Sequence, residues 1–199
     1  MNHSTPQIGI VILAAGASTR MGSPKQLIEW QGQTLVRRIT EVALATEYRP
    51  IVVVLGANKT SITAELEGLP VTLIENPHWE QGLSSSVKMG LAGVYMTKKE
   101  FDAVLFLLVD QPKVDQALVE HIIATYQEND KGIIACRYGG KPGVPALFDR
   151  KYVEELLSLD GDNGAKWVMM QHRDDCLEIP FEDGAIDLDT RQDVDKFLS

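Results

Sequence analysis

The sequence predicts an α/β fold, a three-layer sandwich around a mostly parallel central sheet. Three observations lead there. Strand-length runs of Val, Ile, Leu and Ala recur along the chain and are continuous rather than alternating, as in strands buried on both faces. Segments with helical periodicity separate them, so the order is β-α-β repeated, which folds by right-handed crossovers. Small and charged residues gather just past the ends of two apolar runs, where such sheets bind ligands.

The strand candidates are Gly9–Ala14, Ile51–Leu55, Val71–Ile74, Ala103–Val109 and Gly132–Cys136. Thr34–Thr46 reads as a helix with Leu35, Ile39, Val42 and Ala43 on one face. Ser84–Met96 repeats the pattern less cleanly through Val87, Met89, Leu91 and Val94. Val114–Gln127 follows Pro112 and carries Leu118, Ile122 and Tyr126 at helical spacing. After Gly139 the texture changes. GGKPGVPALF is rich in Gly and Pro and reads as a loop leading to a short strand. Short helices at Arg150–Ser158 and Ala165–His172, a strand at Cys176–Pro180 and a last helix at Gln192–Leu198 complete the chain. This C-terminal third is expected to form a lid or cap on the same domain.

The bulk composition narrows the function classes. With 199 residues the chain suits one domain with a substantial core. A formal net charge of −9 disfavours polyanionic partners, so neither nucleic acid nor an anionic membrane is expected. A small phosphate ligand remains compatible, because a local cluster of cations and N–H groups can hold one. The two cysteines, Cys136 and Cys176, are too few for a disulfide scaffold or a four-ligand zinc site. Residues 1–7 lack the form of a signal peptide, and no apolar run approaches the ~20 residues of a membrane span. A cytoplasmic location is expected.

Two stretches carry chemistry. ILAAGASTRMGSPKQL, residues 12–27, runs from an apolar strand into Gly16, small residues, then Arg20, Gly22 and Lys25. Gly16 lacks a Cβ and can expose its N–H. Ala17 and Ser18 let a ligand approach the main chain, and successive N–H groups there form an anion-binding concavity. The spacing fits neither G-x-G-x-x-G nor G-x-x-x-x-G-K-[ST]. A glycine-rich turn with surface cations is the plainer reading. In LFLLVDQP, residues 105–112, Asp110 ends the most apolar strand. A carboxylate there suits a phosphate-bound Mg²⁺, which takes one or two carboxylates plus phosphate oxygens and water. Capping the helix after Pro112 is the alternative role.

Together these residues resemble the molybdenum cofactor nucleotidyltransferases, within the superfamily that shares the sugar-nucleotide pyrophosphorylase fold. L-A-A-G-x-S-x-R-M-G-x-x-K (Leu13 to Lys25) and D-Q-P (Asp110 to Pro112) carry the resemblance. It continues through NPHWEQGLSSSVKMGL (Asn76 to Leu91), GVPALF (Gly143 to Phe148), GDNGA (Gly161 to Ala165) and DLDT (Asp187 to Thr190). It implies a Rossmann-like, nucleotide-diphospho-sugar transferase fold and one nucleotidyltransferase domain over residues 1–199. Residues 1–110 would bind the nucleotide, and 111–199 would bind the acceptor and complete the metal site.

The implied reaction is transfer of a nucleoside monophosphate from CTP or GTP to the terminal phosphate of molybdopterin cofactor, releasing pyrophosphate. Leu13, Ala14, Ala15, Gly16 and Ser18 would cradle the nucleotide, while Arg20 and Lys25 neutralise its phosphates. Asp110 would hold Mg²⁺, with Mn²⁺ as the other candidate, and Asp189 rather than Asp187 would be the second metal carboxylate. Either could instead cap the last helix. Arg191-Gln192-Asp193 departs from the family's Pro-Glu-Asp and is expected to weaken that helix start. Gly82, Ser84 and Ser85 would lie at a helix N-terminus near the base or ribose, or simply cap it. Lys141, Gly143 and Pro145 would wall the second substrate. Trp79 and Tyr138 suit stacking on a base or pterin as well as ordinary packing.

Ala15 matches the cytidylyl branch, L-A-A-G, rather than L-A-G-G of the guanylyl branch, which favours CTP. Further partners to consider are a phosphorylated polyol such as methylerythritol phosphate as acceptor, or a client molybdoenzyme if the chain were a nucleotide-binding maturation factor.

Overall fold

In the computed structural model, residues 6–19, 21–186, 188 and 190–198 are described. The elements run β1 (Ile8–Ala14), β2 (Glu29–Trp30), β3 (Gln33–Thr34), α1 (Leu35–Ala45), β4 (Ile51–Leu55), α2 (Lys59–Glu65), β5 (Thr72–Glu75), α3 (Leu83–Thr97), β6 (Ala103–Leu108), α4 (Gln116–Glu128), β7 (Ile133–Tyr138), β8 (Lys141–Asp149), α5 (Val153–Ser158), α6 (Lys166–Gln171), β9 (Cys176–Pro180) and α7 (Arg191–Leu198). Among the described residues, seven strands form one sheet in the order β5-β4-β1-β6-β8-β7-β9. β1 pairs in parallel with β4 on one side and β6 on the other, so strand order reverses at β1. The α/β class with a mostly parallel sheet is as expected.

Two apolar layers cover the sheet. On one face α1, α2, α4 and α7 contribute Leu35, Ile39, Ile62, Ile122 and Val194. On the other, α3, α5 and α6 contribute Val87, Leu91, Leu156 and Met169. The weak periodicity of α3 has a physical reason, since much of its buried face is small. A Cβ at Gly93 would lie 2.7 Å from Val52 Cγ1, and one at Gly90 would collide with Val11. The helix thus packs by its backbone, and apolar spacing alone under-reports it.

The sequence reading needs three corrections here. Lys141–Asp149 is not a loop before a short strand but a nine-residue strand inside the sheet, antiparallel to both β6 and β7. Its Gly and Pro content belongs to an irregularity rather than a loop, discussed below. The C-terminal third is therefore no cap, because it supplies β8 and β9 to the central sheet. The start of α7 is also not weak. Asp193 N–H donates to Thr190 Oγ1 at 3.2 Å, while the Asp193 carboxylate accepts from Thr190 N–H at 2.9 Å, a reciprocal cap. The short α2 and the β2–β3 hairpin are additions that the reading did not include.

At the sheet end remote from Gly16, Asp175 accepts hydrogen bonds from the Tyr152 hydroxyl and Gly132 N–H and pairs with Lys151 at 2.7 Å. Burial alone would raise this carboxyl; the Lys151 and Tyr152 hydrogen bonds, the Gly132 N–H and the Lys151 charge outweigh it and bring it down to about 2. A depressed folded-state value stabilises the fold above the unfolded carboxyl pKa of about 4, and that contribution is lost as pH falls through the folded value. Asp175→Asn is therefore expected to unfold at lower temperature than the unmutated chain at neutral pH. The two melting curves should converge as pH drops from about 4 towards about 2, as followed by circular dichroism.

Candidate active site

β1 and β6 end side by side at the reversal of strand order, and the two chemistry-bearing stretches meet there. Val54 and Leu13 pair at the end of β1, as do Leu13 and Leu108. Past these ends the Lys25 Nζ lies 2.6 Å from Asp110 Oδ2, joining residues 85 positions apart. Their side chains are 20% and 23% exposed, so this ion pair is mostly screened from solvent. Burial of charge makes such a pair a weak source of stability. Its place at the crevice of an open α/β sheet points to binding instead.

The loop after β1 is held by its own side chains. Ser18, at φ 55°, accepts from Lys25 N–H through Oγ at 3.0 Å, and its carbonyl accepts from Met21 N–H at 3.0 Å. Gln26 is 2% exposed and donates from Nε2 to Ala14 O at 3.0 Å and Gly16 O at 2.7 Å. Ser18 and Gln26 therefore brace the loop. A Cβ on Gly16 would meet nothing within 4 Å, so the space in front of this residue is open. The Asp110 loop is held from the other side, where Arg38 on α1 donates to Pro112 O at 2.9 Å and Val114 O at 3.3 Å.

A cavity of about 190 Å³ opens between these loops, lined by Leu13, Ala15, Gly16, Lys25, Gln26 and Asp110 with Leu83, Ser86, Leu108 and Val109. It brings together five of the expected residues. Ala14 lies beneath the lining, and Ser18 acts as a brace. Leu83 and Ser86 come from the 82–86 stretch expected near the nucleotide, whereas Gln26 had no expected role, because nothing in a glutamine's spacing marks it as a loop clamp. This volume is below that of a typical small-molecule pocket and matches part of a nucleotide. A larger cleft of about 490 Å³ lies nearby, lined by Gly56, Asn58, Lys59, Glu75, Asn76 and Trp79 among others. The two meet where Gly56 packs on Ala15 and where Asn76 Nδ2 donates to Ser86 Oγ at 3.0 Å.

Other expected positions fall differently. α4 is capped by Asp115, whose carboxylate accepts from Leu118 N–H at 2.8 Å, so Asp110 is not its cap. The N-terminus of α3 is partly covered, because Ser84 N–H donates to Gly161 O at 3.1 Å. Ser85 Oγ donates to Gly82 O at 2.8 Å and accepts from Asn76 Nδ2 at 2.8 Å, which ties the first turn of α3 to the loop after β5. Gly82 has φ 98°, and a Cβ there would lie 2.6 Å from Asp162 Oδ1. Gly82→Ala is expected to lower stability by about 1–3 kcal/mol, from left-handed strain and displacement of the 161–165 loop; urea unfolding checks it. Lys141 is exposed, Gly143 and Pro145 are buried, and none of the three lines the cavity. Arg20, Asp187 and Asp189 lie outside the described residues.

Among the described residues no three His, Cys, Asp or Glu side chains converge into a metal cage. One strand-end carboxylate beside an anion loop nevertheless fits a cation carried in by phosphates, since Mg²⁺ keeps several non-protein oxygen ligands. No helix among the described residues is long and apolar enough to cross a membrane.

The fold, with the family that the sequence matches, defines an enzyme of the nucleotidyltransferase type. Residues 10–176 match the MobA-like NTP transferase domain, and the chain belongs to that family, in keeping with the resemblance seen in its motifs. Its relatives carry different names. Nicotine blue oxidoreductase of Paenarthrobacter nicotinovorans is 29% identical over 97% of both chains. Molybdenum cofactor cytidylyltransferase of Escherichia coli is 24% identical over 94% of this chain and 93% of that one. A probable molybdenum cofactor guanylyltransferase of Bacillus cytotoxicus is 26% identical over 75% of this chain and 72% of that one. The crystal structure of Rv0371c from Mycobacterium tuberculosis superposes with a TM-score of 0.80 at 30% identity, over 96% of this chain and 98% of that one. A second structure of Rv0371c is a manganese complex, with a TM-score of 0.77 at 28% identity over the same shares.

Proposed function

We propose that the protein transfers CMP from CTP to the terminal phosphate of molybdopterin cofactor and releases pyrophosphate. The observation that carries this reading is the Lys25–Asp110 pair at the strand-order reversal, 2.6 Å apart beside an open glycine loop. An ammonium and a carboxylate side by side at that point suit a triphosphate and its counter-ion. The chain works as one domain in this account, with the acceptor on the β7–β8 side.

The nucleophile is already an anionic phosphate, so no general base is required. Catalysis is then alignment and charge neutralisation at the α-phosphorus. The backbone around Gly16 receives phosphate oxygens, Lys25 pairs with the β and γ groups, and Arg20 adds charge from the same loop. Asp110, with Asp189, would hold a divalent cation, Mg²⁺ or Mn²⁺, whose charge offsets repulsion between the two phosphates. Ala15 narrows the base side, since its methyl lines the cavity with Gly56 packed against it. This favours the smaller ring of CTP over GTP, although one methyl is worth only about 1–3 kcal/mol of discrimination.

The relative named as an oxidoreductase supports a second reading, a redox reaction on the same scaffold. Pyrophosphate release separates the two. Purified protein with Mg²⁺ or Mn²⁺ is offered CTP, GTP, ATP or UTP, with molybdopterin cofactor or methylerythritol phosphate as acceptor. Turnover with CTP and the pterin supports the proposal. Preference for GTP removes the weight placed on Ala15, and turnover only with the polyol moves the acceptor class. Redox turnover of a dye with no pyrophosphate release would replace the reading altogether.

A further inference from the structure

Gln111, the middle residue of Asp110-Gln111-Pro112, lies next to the strand-end carboxylate. Gln111 is 5% exposed, and its carboxamide ties the loop after β6 to β8 beyond the last residues that the two strands pair. β8 pairs with β6 only as far as Ala146. Its pairing with β7 jumps from Ala135↔Ala146 to Cys136↔Gly143, leaving Val144 and Pro145 as extra residues. Such a bulge bends a strand and frees backbone groups, and bulges are common beside active sites. The Val144 carbonyl freed here accepts from Gln111 Nε2 at 2.7 Å and from the Tyr138 hydroxyl at 2.9 Å. Gln111 Nε2 also lies 3.2 Å from that hydroxyl. The Tyr138 ring in turn lies over Gly143 and Gly184, where a Cβ would come within 2.7 and 2.5 Å of ring carbons. The tip of the β7–β8 hairpin is thus tied to the residue next to Asp110.

The other end of the carboxamide is the second observation. Gln111 Oε1 is buried and receives no hydrogen bond among the described residues. A buried acceptor left unpaired opposes folding by about 1–3 kcal/mol. A residue kept only to fill space would be apolar, and the Val144 carbonyl would still be satisfied by Tyr138.

We propose that Gln111 is a positioning residue for the second substrate: it fixes the hairpin tip, through Val144 and Tyr138, at a set distance from the Asp110 carboxylate. This rests on the reading that the acceptor phosphate approaches from the β7–β8 side.

The test uses Gln111→Met, with Gln111→Leu as a second variant. Melting temperature is expected at or above that of the unmutated chain, because the orphan oxygen is gone. The KM for the phosphopterin acceptor should rise about ten- to a hundredfold, while the Kd for CTP with Mn²⁺ stays within about twofold. Backbone hydrogen exchange over 138–145 should quicken, with 13–27 unchanged. Equal losses of CTP affinity and acceptor KM, or an unchanged KM and unchanged exchange, would overturn the proposal. If the unmutated chain transfers CMP to no phosphorylated acceptor, the functional reading fails. The substrate-positioning role falls with it, and the exchange data then show only whether Gln111 fixes the hairpin tip.

Discussion

Asp110→Asn is expected to lower nucleotidyl transfer by about 10²–10³-fold, the usual consequence of removing one electrostatic element from a site of developing charge. The loss should fall on kcat more than on the KM for nucleotide, because Lys25 and the Gly16 loop remain to bind phosphates. The substitution is nearly isosteric and keeps an oxygen near Lys25 Nζ, 2.6 Å from the carboxylate in the structure. It does remove the counter-charge of a mostly buried ammonium, which is destabilising in its own right. A melting curve therefore accompanies the kinetics. A folded variant with lost turnover fits the account, and a folded variant with full turnover contradicts the role of Asp110.

Lys25→Met should move two affinities in opposite directions. Nucleotide binding weakens, because the ammonium that faces the phosphates is gone; about a hundredfold loss in kcat/KM is expected for a charge acting in both ground and transition states. Metal binding to the nucleotide-free protein strengthens. In the free chain Lys25 already neutralises Asp110, so a divalent cation must displace it. Removing the ammonium should raise Mn²⁺ affinity by about tenfold, or ~1.4 kcal/mol. The same competition predicts that metal enters with the nucleotide, whose phosphates give Lys25 another partner. Mn²⁺ titration by electron paramagnetic resonance, with and without CTP, reads both effects. Parallel losses of metal and nucleotide binding would show that Lys25 does not compete with the cation.

The layer order and the meeting of the two motifs were legible because both rest on strong local signals. Continuous runs such as Ile51–Leu55 and Ala103–Leu108 mark doubly covered parallel strands. Residues just past such runs must gather at one sheet edge, which is why Lys25 and Asp110 meet from 85 positions apart. β8 was not legible, since its Gly143 and Pro145 are turn residues by propensity. Here a bulge absorbs them, with tertiary pairing on both sides overriding local preference. The N-terminus of α3 read as a place for base or ribose or as a plain cap, but whether a distant carbonyl reaches it is not written locally. Gly161, some eighty residues on, supplies that carbonyl. Gln26 was missed for a related reason. A clamp is defined by the two backbone carbonyls it reaches, and those become neighbours only once the loop has folded.

The central claim is that Lys25 and Asp110 form a site for a nucleoside triphosphate and its cation. It is tested most directly by counting Mn²⁺ bound in the presence of a non-hydrolysable CTP analogue, in the unmutated chain and in Asp110→Asn. The account predicts stoichiometric Mn²⁺ in the first and its loss in the second, with the analogue still bound. Equal Mn²⁺ binding in both would place the cation elsewhere and contradict the account.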